Sequence, residues 1–217
     1  MSDSSWLANG DSPGFQNPFY DDRSWTHAYE LGTSNTSPWH TPSLPGPPSS
    51  LSLANSQWIW TNEISGPGGV APVGNRAFRQ DITIPGNVPA TGGTIIISTD
   101  NEYTLYINGQ QIGTHADWTV AQRYTFTLGS PTRNIVVAVN ADNTGGPAGV
   151  IAALELNLEV GSCSAYSVYV TDNSWKYNLG VPAGFQNPSY NDGSWPSAVE
   201  QGLYGVSPWG DISTQSA

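Results

Sequence analysis

Ser98-Thr99-Asp100-Asn101-Glu102-Tyr103-Thr104-Leu105-Tyr106-Ile107-Asn108-Gly109 is the stretch whose reading decides the fold. Within it Tyr103, Leu105 and Ile107 alternate with Thr104, Tyr106 and Asn108, the period of two that marks a strand with one face in a core. Asn108-Gly109 is the residue pair that best tolerates positive φ, so a two-residue hairpin is expected, with Gln110-Gln111-Ile112-Gly113 returning as the partner strand. The apolar run Ile95-Ile96-Ile97 precedes it. Asp100 and Asn101 fall between the two runs, at the mouth where a β-sandwich carries its loops and ligands.

Further strands are expected on both sides of this hairpin: Gln57 to Thr61, Ala77 to Ile84, Tyr124-Phe126-Leu128, Ile135 to Val139 and Val150 to Val160. In the last of these Leu154, Leu156, Leu158 and Val160 alternate with Glu155, Asn157 and Glu159, which puts one face in a core and the other in water. The composition agrees. The 217 residues include 24 Gly and 17 Pro, 11% are aromatic and only 11% charged, a mix of turn formers and rings that suits an all-β fold.

Charge excludes two classes of partner. Lys and Arg number 6 against 17 Asp and Glu, for a formal net charge of -11, so nucleic acid and an anionic bilayer would be repelled. No apolar run approaches the roughly 20 residues of a membrane-spanning helix, so no membrane insertion is expected. The first residues show neither a basic nor an apolar region, so no signal peptide is expected, and an extracellular or a leaderless cytoplasmic location both stay open. The single Cys163 allows no internal disulfide and is expected to act as a small buried hydrophobe. His27, His40 and His115 lie too far apart to suggest a zinc site, and the sequon Asn35-Thr36-Ser37 carries little weight.

An internal repeat organises the chain. Trp6, Gly14-Phe15-Gln16-Asn17-Pro18, Tyr20-Asp21-Asp22-Arg23-Ser24-Trp25 and Ser37-Pro38-Trp39 return as Trp175, Gly184-Phe185-Gln186-Asn187-Pro188, Tyr190-Asn191-Asp192-Gly193-Ser194-Trp195 and Ser207-Pro208-Trp209. This predicts a sandwich over residues 1–160, with a Pro/Ser-rich connector at 41–52, and a partial second copy of residues 2–40 at 171–217. The aromatic residues of that second copy need cover. Two arrangements are open: docking on the same sandwich, or complementing a second copy of the chain to hold a homodimer.

The order of these signals, Phe-x-Asn-Pro-x-Tyr-Asp-Asp-x-Ser-Trp at residues 15–25, Trp58-Ile59-Trp60-Thr61, Arg76-Ala77-Phe78-Arg79, Thr99 to Gly109, then Asn140-Ala141-Asp142-Asn143 and Gly145-Gly146-Pro147-Ala148-Gly149, resembles the galactose-binding-like jelly roll. It is most similar to the calcium-dependent rhamnose-binding modules of bacterial α-L-rhamnosidases and to calcium-dependent mushroom lectins. The resemblance implies a Ca²⁺ ion that touches the sugar directly. Its ligands here would be Asp100 and Asn101, a later Asn at Asn143 with Asp142 beside it, and a backbone carbonyl from the turn at Gly145-Gly146-Pro147, for which Pro147 is the candidate. Asn140 also lies within reach of the pattern.

The residue types fit that chemistry. Calcium takes six to eight hard oxygen ligands, and short Asp and Asn side chains with carbonyls on irregular loops can supply them. With four or five from the protein, coordination positions stay open to a cis vicinal diol, as in galactose, N-acetylgalactosamine or rhamnose. Asp100 and Asn101 would then contact sugar as well as metal. Trp118, in His115-Ala116-Asp117-Trp118, is the candidate ring for the apolar sugar face, with His115 beside it and Trp60 as the second choice. Each feature also has a plainer reading: Asp-Asn as a turn, residues 140–146 as a polar loop, Trp58 and Trp60 as core.

Catalysis is not expected. Glu155 and Glu159 are the available carboxylate pair, but four residues along one strand separates them by roughly 13 Å, beyond the about 5–10 Å of a glycosidase pair. Neither a nucleophile elbow nor a phosphate loop is present. The sequence therefore favours a lectin over a structural jelly roll belonging to a glycoside hydrolase.

Overall fold

The computed structural model describes residues 5–10, 12–17, 19–29, 51–86, 88–160 and 163–217, without the side chains at 160, 163 and 164. The sequon, Pro18, Trp39, His40, the connector up to residue 50 and the Cys163 side chain lie outside these. The chain divides into two compact units, Met1–Ser49 and Ser50–Ala217.

In the first unit β1 (Leu7–Ala8) pairs antiparallel with β2 (Thr26–His27). Successive turns fill the space between them, closed by hydrogen bonds from the amides of Asn17, Tyr20 and Trp25 to the carbonyls of Gly14, Asn17 and Asp22, each 2.9 Å. Tyr20 meets Trp25 edge-on at 5.7 Å.

The second unit is an all-β sandwich, and none of its described residues is helical. In chain order its strands are β3 (Gln57–Trp60), β4 (Gly74–Thr83), β5 (Ala90–Asp100), β6 (Glu102–Ile107), β7 (Gln110–His115) and β8 (Val120–Thr132). They continue with β9 (Asn134–Asn143), β10 (Gly149–Val160), β11 (Cys163–Val170), β12 (Lys176–Asn178), β13 (Val199–Leu203) and β14 (Ser213–Ser216). One sheet runs β13-β3-β10-β5-β8-β14, with β11 also paired to β10; the other runs β12-β4-β9-β6-β7. Every strand expected from the alternation patterns is present. The hairpin closes at Asn108 (φ 49°) and Gly109 (φ 86°), with Ile107 opposite Gln110.

Between the sheets lies a core that includes Trp60, Phe78, Ile95, Ile97, Leu105, Val137, Val139, Val150, Leu154 and Leu156. Each aliphatic side chain of that size stabilises the fold by about 1.5–3 kcal/mol through burial. Residues of opposite parity are also covered. Ile96, Ile151 and Ala153 lie beneath Leu51, Leu53, Trp58, Trp209 and Ile212 on the outer face of the larger sheet. Ala77, Val136 and Ala138 lie beneath Phe185 and Trp195 on the outer face of the smaller one. The face of β10 expected to be wet is therefore dry at Ile151 and Ala153 and meets water only from Glu155 onward.

The residues that cover both outer faces come largely from the C-terminal segment, and this redraws the boundary expected at residue 160. Residues 171–217 dock on the sandwich of their own chain: β12 extends β4, β13 extends β3, and β14 runs parallel to β8. Without them Ala77, Val136 and Ala138 would lose their cover and Ile96, Ile151 and Ala153 part of theirs, so the unit closes only at its last residues.

Candidate metal and sugar site

Several connections cross from one sheet to the other at one rim of the sandwich, among them β3 to β4, β5 to β6, and β9 to β10. Asp100 and Asn101 occupy the second of these crossings, and residues 144–148 the third. Pairing of Asp100 with Gly149, and of Asn143 with Gly74, brings all three together. The positive φ of Gly145 (146°) and Gly146 (81°) makes the turn after Asn143 sharp. Ala71, in the first crossing, donates its amide to the Gly146 carbonyl at 2.9 Å.

Side chains tie the crossings into one corner. The Asn101 amide N–H donates to the Asp142 carbonyl (3.2 Å), and the Thr144 N–H donates to Asn101 Oδ1 (2.8 Å). Asn143 is fully buried; its Nδ2 donates to the carbonyls of Ala71 (3.0 Å) and Pro72 (3.2 Å), while its Oδ1 accepts from the Gly145 N–H (3.1 Å). That arrangement turns the amide nitrogen toward one loop and the oxygen toward the turn that contains Pro147. Asp100 is 5% exposed, and its Oδ2 accepts from the indole N–H of Trp209 at 2.9 Å. Burial pushes the Asp100 carboxyl above its ordinary range, and the Trp209 hydrogen bond offsets this only partly.

Beside the corner lies a polar cleft of about 410 Å³ on the smaller sheet, lined by Asn75, Glu102, Thr104, His115, Asn140 and Asp142 among others. Strand alternation separates the sequence candidates. Asn143 points inward to the corner, whereas Asp142 and Asn140 face the cleft, where Asn75 Nδ2 donates to Asn140 Oδ1 at 3.2 Å. The Asn143 side chain thus lies in the corner with Asn101, the Asp142 carbonyl meets the Asn101 backbone N–H there, and Asn140 lies on the cleft side. His115 lines the cleft, its Nε2 3.1 Å from Gln122 Nε2.

Trp60 is corrected. It is fully buried between the sheets, 5.2 Å from the Phe78 ring, and presents no face to a sugar. Trp118 is half-buried against the cluster that contains Trp209, and its carbonyl accepts from Ser98 Oγ at 2.8 Å. It does not line the cleft with His115.

Two contributors were missed. Glu102 faces the cleft directly opposite Asp142. Trp209, from the C-terminal segment, is stacked 4.5 Å from Trp58 and fixes Asp100. The repeated Ser-Pro-Trp was a signal for Trp209, although spacing could not say which residue it would reach.

The oxygen set suits a hard cation. Among the described residues no three His, Cys, Asp or Glu side chains gather as a metal cluster. The corner instead offers one buried carboxylate, two oriented amide oxygens and loop carbonyls, a set whose single negative charge has only a neutral hydrogen-bond donor beside it.

Fold and rim together define an all-β sandwich with a polar corner and cleft at one rim. No family model matches the chain. It is similar in structure to the lectin of Pleurotus ostreatus, solved with GalNAc and in apo form, with a TM-score of 0.70 and 39% identity over 100% of this chain and 62% of that one. It is also similar to a Streptomyces avermitilis α-L-rhamnosidase complexed with L-rhamnose, with a TM-score of 0.65 and 31% identity over 76% of this chain and 16% of the enzyme. In sequence, a curated α-L-rhamnosidase of the same organism is 32% identical over 219 residues, 96% of this chain and 20% of that enzyme. The chain thus spans 62% of the lectin and about a fifth of the rhamnosidase. The resemblance seen in residues 99–109 and 140–149 holds.

Proposed function

We propose that this protein is a non-catalytic, calcium-dependent lectin for sugars of the galactose, N-acetylgalactosamine or rhamnose type. The observation that carries the reading is the corner itself: sheet-to-sheet crossings hold Asp100, Asn101 and Asn143 together, with the Asp100 carboxylate buried and, among the described residues, no cationic side chain in contact with it. The similar proteins support it, since one was solved with GalNAc and another with L-rhamnose.

In this reading Asp100, Asn101, Asn143 and the Pro147 carbonyl hold Ca²⁺, with the Asp142 carbonyl bracing Asn101. Bound there, the ion supplies open coordination positions for two vicinal hydroxyls. The chain's own groups do the rest. Trp209 holds the Asp100 carboxylate in place, and the 71–72 carbonyls hold Asn143. Glu102, Asp142 and His115 offer hydrogen-bond partners to hydroxyls entering the cleft.

Titration calorimetry with galactose, GalNAc and L-rhamnose, in calcium and in chelator, tests this. Binding of at least one sugar in calcium is expected, with loss in chelator and in Asp100→Ala and Asn101→Ala at unchanged circular dichroism. Undiminished affinity in both variants would overturn the assignment. The rhamnosidase match along 96% of the chain favours a second reading, an accessory domain of a glycoside hydrolase with a structural role; it predicts no sugar binding under any of these conditions.

A further inference from the structure

Residues 6–28 and 175–198 are one sequence module folded twice. The amides of Asn187, Tyr190 and Trp195 bond to the carbonyls of Gly184, Asn187 and Asp192, as those of Asn17, Tyr20 and Trp25 do in the first copy. The Ala28 amide bonds to the Trp6 carbonyl and the Ala198 amide to that of Trp175, each at 2.7 Å. Tyr190 meets Trp195 at 5.6 Å and 66°, against 5.7 Å and 62° for Tyr20 and Trp25. Local turn chemistry therefore builds the same module in both places.

Burial differs. Trp175 and Phe185 are 2% and 3% exposed, while their counterparts Trp6 and Phe15 are 61% and 65% exposed. The C-terminal module is a plug in a socket on the smaller sheet, where Phe185 and Trp195 sit on Ala77, Val136, Ala138 and Tyr106. Arg79 locks it, donating to the carbonyls of Phe185 (2.7 Å) and Asn187 (3.0 Å) and pairing with Asp192 (3.2 Å). Phe15, Asn17 and Asp22 stand at the three matching positions of the N-terminal module.

We propose that the N-terminal module is a second plug for this socket, and that it binds a second copy of this chain, seating Phe15 and Trp25 where that copy's Phe185 and Trp195 sit and setting Asp22 against its Arg79. Two such exchanges, one in each direction, close a symmetric dimer. The exchange competes with the plug already in place, which is tethered to its own socket at an effective concentration of millimolar order. It also gives up one contact, because Lys176, which pairs with Asp192 at 3.0 Å, is replaced by Leu7. Association is therefore weak in the intact chain and is strengthened by whatever weakens the C-terminal plug. A dimer of this kind carries two rim corners.

Sedimentation equilibrium of the whole chain, up to millimolar concentration, tests the proposal. The wild type is expected to show a concentration-dependent dimer. Phe15→Ala, at an exposed position, should weaken that dimer about tenfold, and Phe185→Ala should strengthen it about tenfold. A wild type that stays monomeric throughout, or a dimer indifferent to Phe15→Ala, overturns it. If Phe185→Ala fails to fold, the wild type and Phe15→Ala still decide.

Discussion

Asp192 and Asp100 are both buried carboxylates on the sandwich, and their surroundings are opposite. Asp192 has two cations on it, the fully buried Arg79 guanidinium at 3.2 Å and the Lys176 ammonium at 3.0 Å, and it clamps the C-terminal module to the sheet. Asp100 has an indole N–H on one oxygen and no cationic side chain in contact among the described residues. A carboxylate taken out of water is stable when a cation accompanies it. Asp192 is complete within the protein and serves structure. Asp100 has no such partner among the described residues, and that difference is what supports the cation proposed for it.

Breaking the first pair should have the largest effect. Asp192→Asn leaves the buried Arg79 with the half-exposed Asp81 and two carbonyls, and is expected to destabilise the protein by about 3 kcal/mol in urea unfolding. Asp100→Asn should behave in the reverse way. Because burial holds the Asp100 carboxyl above its ordinary range, its contribution to stability is greatest at low pH and is lost as pH rises through the raised value. Removing the charge in metal-free protein at neutral pH should therefore leave stability unchanged or improved. Calcium affinity, by calorimetry, should fall by about two orders of magnitude with the loss of the one formal charge in the set. A large loss of metal-free stability in Asp100→Asn would show that the two carboxylates are not different in kind.

Trp209→Phe sharpens the contrast from the other side. It keeps a ring over Trp58 but removes the indole hydrogen bond to the Asp100 carboxylate, which should cost about 1.5 kcal/mol of stability and weaken calcium binding about tenfold. This residue also shows where sequence reading stopped. Alternation over Tyr103, Leu105 and Ile107, with Asn108-Gly109 after it, made the hairpin and the sandwich legible, because those signals are local. Asp100, Asn101 and Asn143 were singled out as a metal set only through family resemblance, since short polar residues sit on other loops too. Trp209 could not be assigned. Its contact with Asp100 spans 109 residues and exists because the C-terminal module docks in cis. Trp60 failed for a related reason: alternation would put Trp58 and Trp60 on one face of Gln57–Trp60, but Trp60 packs in the core between the sheets and Trp58 in the cluster on the outer face, so both faces of β3 are covered.

The smallest expected effect concerns a third carboxylate, Glu63, which shows what Asp100 would look like with a cation built in. Arg76 donates to both its oxygens at 2.7 and 2.8 Å, and Thr61 Oγ1 adds a bond at 2.8 Å. The Arg76 hydrogen bonds pull the Glu63 carboxyl below its ordinary value, although burial acts against them. A lowered pKa gives stability that is fully present above the unfolded value of about 4.3 and is lost as pH falls through the lower folded value. Glu63→Gln should then cost about 0.5–1 kcal/mol at neutral pH, a modest figure because the pair is partly solvated. In urea titrations from neutral pH downward, the gap between wild type and Glu63→Gln should hold to about pH 5 and close below the ordinary glutamate range. For Asp100→Asn in metal-free protein the stability difference should close at a higher pH, above the ordinary aspartate range, because its shift has the opposite sign. If both gaps closed over the same pH interval, the distinction between a carboxylate with its own cation and one without would fail.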